Sequence, residues 1–222
     1  MSIFAFLEYI SLEKKSSEHT MKAYQANLIA FESYLKSEQS QGGIETASYG
    51  EIRAWIVTLI ESGNSSRTVN RKVSALRSYY KFQLSIKKIG VSPLKEHRAL
   101  KTETKVALPF SQEEIKSLFE ADIFPDTYIG SMTRTLIQLL YFTGIRRSEL
   151  IDLKVKDIDF PKGLLKVLGK RNKERLIPLL PEIQDHLKML LKSQEDLKIV
   201  READFFFVNE KGKKLSISFV YQ

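Results

Sequence analysis

The chain has 222 residues, 43% hydrophobic and 28% charged, a balance that excludes wholesale disorder and leaves room for two small cores. It has no cysteine, which rules out a disulfide framework, thiolate zinc sites and cysteine nucleophiles. No apolar run approaches the ~20 residues that span a bilayer. The net charge is +8, and residues 65–100 alone hold nine basic side chains against the single acid Glu96, so a polyanionic partner is the first expectation.

The first hundred residues read as helices. Phe4, Leu7, Ile10 and Leu12 begin one, and the opening MSIFAFLEYISLEKK lacks the basic n-region of a signal peptide. Ser17 to Lys36 carries Tyr24, Leu28, Phe31 and Leu35 at helical spacing, until Gln41, Gly42 and Gly43 break the pattern. Tyr49 to Glu61 is a third helix, with Ile52, Trp55, Ile56, Leu59 and Ile60 on one side. Gly63 and Asn64 stop it, and Ser65 or Ser66 caps a fourth from Arg67 to Ile86. In that helix Val69, Val73, Leu76, Tyr80 and Leu84 share one stripe. Arg67, Arg71 and Lys81 lie opposite, with Lys72 and Arg77 on the flanks. One face can pack while the other is free for phosphates, or is simply solvated.

Residues 93–109 read as a linker, with Pro93 and Pro109, several charges and little periodicity. Beyond it the pattern is mixed. Ser111 caps a helix with Glu113 and Glu114 in its first turn. Met132 to Phe142 is an apolar helix ended by Gly144, and a short helix follows from Arg147 to Leu153. Strands are expected at Ile158–Phe160, Leu164–Leu168 and Arg175–Leu179, the last two joined by the polar turn Lys170 to Glu174. Pro181 to Leu191 is a helix, and Phe205–Val208 a last strand.

Familiar chemistry is missing. His19, His97 and His186 share no metal-ligand spacing, and there is no Walker loop, GxGxxG or GxSxG. The pair Asp157/Asp159 reads as the wet face of a strand. Two segments stand out. In YFTGIRRSEL, Gly144 permits a tight turn that leaves Arg146 at the start of a helix, where its planar fork suits a phosphate. In VLGKRNKER a hairpin tip presents Lys170 among other basic residues.

Together TGIRRSEL and KVLGKRNKERLIPL, at this spacing, resemble the catalytic domain of the tyrosine recombinases (the lambda-integrase superfamily), most closely the Xer type. FLEYISLEKKSSEHTMKAYQANLIAFESYL and SSRTVNRKVSALRSYYKF resemble the helical core-binding domain of those enzymes. The resemblance implies a mainly α fold with a small antiparallel β-sheet. A SAM-like DNA-binding domain (1–92) and the linker (93–109) would precede the N-terminal part of an α+β catalytic domain (110–222).

It further implies site-specific DNA recombination, in which a tyrosine attacks a DNA phosphate and forms a 3′-phosphotyrosyl link. Neither metal nor other cofactor is expected, because positioned cations stabilise the charge that builds on the phosphate. By resemblance Arg146 clamps the phosphate oxygens and Lys170 is the general acid for the leaving 5′ oxygen. Glu149 either supports the arginine's helix or is plainly structural, and Arg147 either adds a phosphate contact or faces water. Arg67, Arg71, Lys72 and Arg77 are the expected DNA-binding residues. The family's HxLRH segment and late nucleophilic tyrosine find no match, and Tyr221 lies too early to be that tyrosine. The chain therefore reads as a C-terminally truncated recombinase that does not cut DNA alone. A non-catalytic DNA-binding protein and a phage or transposon integrase are the alternatives. The expected partners are double-stranded DNA and further protomers, a tetramer on two duplexes in the family. The expected location is the cytoplasm, at the nucleoid, with no membrane.

Overall fold

A computed structural model describes residues 2–40, 42–103, 108–120, 123–169 and 173–221. The chain divides into two compact units, Met1–Ala107 and Leu108–Gln222.

Among its described residues the first unit has four helices: α1 (Ser2–Leu12), α2 (Glu18–Ser37), α3 (Tyr49–Glu61) and α4 (Ser66–Ser85). Serines set the starts of three of them. Ser17, Ser48 and Ser65 each accept a backbone N–H three residues on, satisfying donors that a first helical turn leaves unpaired. At α3 the cap is reciprocal: Glu51 reaches back to accept the Ser48 N–H at 2.7 Å. The helices close over a core that includes Phe6, Phe31, Trp55, Leu76, Tyr79 and Tyr80. Tyr80 is fully buried, and its hydroxyl meets its need for a partner by donating to the Ile44 carbonyl at 2.8 Å. From the stretch 93–109, Leu94 is buried in this same core. Asn70 on α4 holds Leu100 through two hydrogen bonds, donating to its carbonyl at 2.8 Å and accepting its N–H at 2.9 Å.

The second unit holds α5 (Gln112–Glu120), α6 (Tyr128–Thr143), α7 (Arg147–Ile151), β1 (Ile158–Asp159), β2 (Leu164–Leu168), β3 (Glu174–Pro178) and α8 (Pro181–Asp196). The three strands form an antiparallel sheet in the order β1-β2-β3. In β2, Leu165 and Val167 are buried while Lys166 and Leu168 are exposed, the period of two that a half-buried strand requires. Met132, Leu136 and Leu139 of α6 and Ile183, Leu187 and Leu190 of α8 share one core with the sheet. Helix α6 starts four residues before the expected Met132, because Thr127 caps it by accepting the Gly130 N–H at 3.1 Å.

The expected strand at Phe205–Val208 is not formed. Lys154 and Phe205, and Val208 and Lys214, meet only in isolated bridges. Phe206, Phe207 and Val208 are consecutive and all fully buried, so the segment fills the core without alternating faces. Asp157 and Asp159 differ from a wet strand face as well: they accept the N–H groups of Lys154 and Lys162, both at 3.0 Å, and so close local turns.

Candidate functional site

The site in the second unit is built by a break between two helices. Gly144 takes a left-handed conformation (φ 59°) and its N–H returns to the Leu140 carbonyl, which ends α6. Ile145 is buried and pins the turn from below. Arg146 is then extended (φ −73°, ψ 147°) and stands at the N-cap of α7. An arginine cannot accept a capping bond. Glu149 supplies the acceptor instead, taking the Arg146 backbone N–H at 2.9 Å.

The same carboxylate gathers two guanidiniums. Arg146 Nη1 donates to Glu149 Oε1 at 2.8 Å. Arg175, on β3, donates from Nη1 to Oε1 and from Nη2 to Oε2, both at 2.8 Å. Glu149 is only 7% exposed, against 54% for Arg146 and 37% for Arg175. The bonds from Arg175 chiefly, reinforced by those from Arg146, outweigh burial and hold the Glu149 carboxyl down at about 2. It is therefore ionised at any physiological pH. Two cations share one anion, and the cluster keeps a net positive charge beside the exposed face of Arg146.

Lys170 lies outside the described residues, as do Arg171 and Asn172. The hairpin that carries them is closed by the Gly169 N–H bonding the Lys173 carbonyl at 2.7 Å. A methyl built on Gly169 would sit 3.3 Å from Arg175 Nη1 and 3.8 Å from Glu149 Oε1. The backbone position just before Lys170 thus abuts the arginine–glutamate cluster.

In the first unit α4 sorts its cations. Arg67, Arg71 and Lys81 are exposed and, at 100° per residue, share a stripe with Ser74 and Ser78. Arg71 lines a groove of ~330 Å³ between α2 and α4, with His19, Thr20, Tyr24, Asn27 and Ser74. Tyr24 and Ser78 pair there through their hydroxyls at 3.3 Å. Arg77 stands apart from this stripe: its Nη2 donates to the His97 carbonyl at 3.3 Å. Lys72 is half-buried on the opposite flank.

Arg175 was not among the residues the sequence singled out. A signal for it exists. It alternates with Ile177 on the inward side of β3, and an arginine on that side needs a carboxylate.

The comparisons agree with this architecture. Residues 3–87 match the phage integrase N-terminal SAM-like domain, and residues 109–222 match the phage integrase family. The chain belongs to the phage integrase family. It is 34% identical over 211 residues to the tyrosine recombinase XerC of Staphylococcus epidermidis, covering 95% of this chain and 70% of that protein. Among solved structures, the Tn1549 transposon integrase in complex with transposon right end DNA is similar at a TM-score of 0.75 and 17% identity, over 97% of this chain and 73% of that one. The lambda integrase tetramer bound to a Holliday junction is similar at a TM-score of 0.71 and 19% identity, over 99% of this chain and 59% of that one. At such identities these two likenesses concern the fold. The integrase family, the XerC relative and the mainly helical fold with its small sheet are those implied by TGIRRSEL and KVLGKRNKERLIPL.

Proposed function

We propose that the chain serves site-specific recombination of double-stranded DNA, the breaking and rejoining of strands through a 3′-phosphotyrosyl intermediate. The observation that carries this is Arg146: an exposed guanidinium at the mouth of α7, in a cluster of net positive charge, within the 109–222 stretch that matches the integrase family. In this reading Arg146 grips the non-bridging oxygens of the scissile phosphate, where charge grows as the phosphorus becomes pentacoordinate. Lys170 delivers the proton to the departing 5′ oxygen. Residues 1–92 supply DNA binding through Arg67, Arg71, Lys72 and Arg77, residues 93–109 connect, and residues 110–222 hold the phosphate. Arg71 stands at the rim of a mostly apolar groove, so its guanidinium is the charged group there that can meet a phosphate.

The Xer role in resolving chromosome dimers is favoured over mobile-element integration by the 34% identity to the tyrosine recombinase XerC over 70% of that protein. Assembly as a tetramer on two duplexes follows the lambda integrase complex. The place of action is the cytoplasm, at the nucleoid.

The test uses residues 1–222 and a fluorescent duplex. The chain is expected to bind, and Arg71→Glu to weaken binding severalfold at low salt. Unchanged affinity would remove Arg71 from the interface. Residues 1–222 hold no HxLRH segment, so no covalent adduct is expected on a nicked duplex. An adduct resolved on a denaturing gel would contradict that expectation.

A further inference from the structure

We propose that Arg175 is a positioning residue for the phosphate clamp: it occupies the Glu149 carboxylate from β3, so that Glu149 does not neutralise Arg146. This rests on the reading of Arg146 as a phosphate ligand.

The argument is one of donors and acceptors. A carboxylate offers about four lone-pair positions. All four are used: two by the end-on fork of Arg175, one by the Arg146 backbone N–H, and one by Arg146 Nη1. Arg146 gives up one of its side-chain N–H groups and keeps the others, on a side chain that is 54% exposed. Arg175 gives both of its terminal nitrogens to the carboxylate. The two arginines are therefore not equivalent. Arg175 is committed inward, and Arg146 is held by its edge and left facing out.

Without Arg175 the balance changes. Glu149 would still be fixed by the Arg146 N–H and α7, 7% exposed and short of partners. Among the bonds described, the other guanidinium on Glu149 is that of Arg146, which could then fork onto both oxygens. A phosphate would meet a neutral pair instead of a cation. The position of Arg175 adds a second consequence. It pairs with Val167 in the β2–β3 register, and its Nη1 lies 3.3 Å from where a Gly169 side chain would begin. One guanidinium thus ties the root of the Lys170 hairpin to the carboxylate that holds Arg146.

The experiment is a duplex-binding series on residues 1–222: wild type, Arg146→Gln, Arg175→Gln, Glu149→Gln, the double variant Arg175→Gln with Glu149→Gln, and Arg175→Lys. Arg175→Gln should weaken binding about as much as Arg146→Gln, on the order of tenfold for one charge-assisted contact. Removing Glu149 in the same chain should restore affinity to near wild type, because the neutralising charge is gone. An arginine that touched DNA directly would not be rescued by deleting Glu149, and a merely structural one would show its loss as lowered exchange protection on α7 and β3 and not in binding alone. Failure of that rescue, or wild-type binding by Arg175→Gln, overturns the proposal. If Arg146→Gln itself binds as wild type, the phosphate-clamp reading fails first and takes the proposal with it. Amide hydrogen exchange on α7 and β3 verifies folding. Should Arg175→Gln lose protection there, Arg175→Lys decides: one ammonium cannot hold both oxygens, so its binding should fall between the wild type and Arg146→Gln, and again recover with Glu149→Gln.

Discussion

At the scale of single residues the molecule's chemistry centres on Glu149. Its folded carboxyl sits at about 2, below the unfolded value near 4.3, because Arg175 and Arg146 bond the ionised form. A depressed carboxyl stabilises the fold fully above the unfolded value, and that stability is lost as pH falls from there through the folded value. The shift corresponds to about 3 kcal/mol, which solvent around the half-exposed guanidiniums reduces to about 2 kcal/mol. Glu149→Gln should therefore destabilise the second unit by roughly that amount at pH 7 and lose most of its difference from the wild type near pH 2. Urea unfolding followed by hydrogen exchange at α7 and β3 measures both. An equal penalty at pH 2 and pH 7 would show that packing, not charge, is what Glu149 contributes. Trp55, the one tryptophan, belongs to the first core, so its fluorescence reports the other unit and serves as the internal control.

At the scale of elements, α6 shows how two local rules can oppose each other. Gly130 lies in its first turn, where alanine would raise helix propensity by about 1 kcal/mol. Yet a methyl there would fall 1.9 Å from the Pro125 carbonyl oxygen, against backbone that cannot swing aside. Overpacking of this kind costs about 1–3 kcal/mol, so Gly130→Ala should lower stability by up to about 2 kcal/mol net, read as lost exchange protection in α6. A stabilised variant would mean that the 125–127 turn yields freely. The same helix marks what the sequence could reveal. Gly144 was legible as its end, since a glycine after an apolar run is the usual left-handed stop. Its start was not, because Thr127 caps from beyond the apolar periodicity. Helix α4, with Ser65 as a local cap and a long apolar stripe, was readable to within a residue. Phe205–Val208 was misread because a short apolar run has no period to separate a strand from buried irregular chain. Arg146 was visible from its motif. The bond between Arg175 and Glu149 spans 26 residues and exists only once β3 pairs with β2, so no local pattern could announce it.

At the scale of the whole molecule the net charge of +8 acquires an address. The basic groups of residues 65–100 are not equivalent once α4 is folded. Arg67, Arg71 and Lys81 share an exposed stripe, while Arg77 is already bonded to the His97 carbonyl, whose imidazole meets Tyr49 of α3 at 3.4 Å. A phosphate contact releases counterions, so each one contributes about 0.9 to the slope of log K against log salt. Replacing Arg67 and Arg71 together by glutamine should lower that slope by nearly 2 and leave thermal stability within ~0.5 kcal/mol, since neither side chain is packed. Arg77→Gln should differ in kind. Part of its bonding is spent inside the protein, so its slope change should be smaller, and the 94–98 turn should lose exchange protection. Titrating duplex DNA into each variant at several salt concentrations separates the two classes. Equal slope changes for Arg77 and Arg71 would mean that the His97 bond is surrendered on binding, and that the DNA-facing surface of α4 extends around to α3.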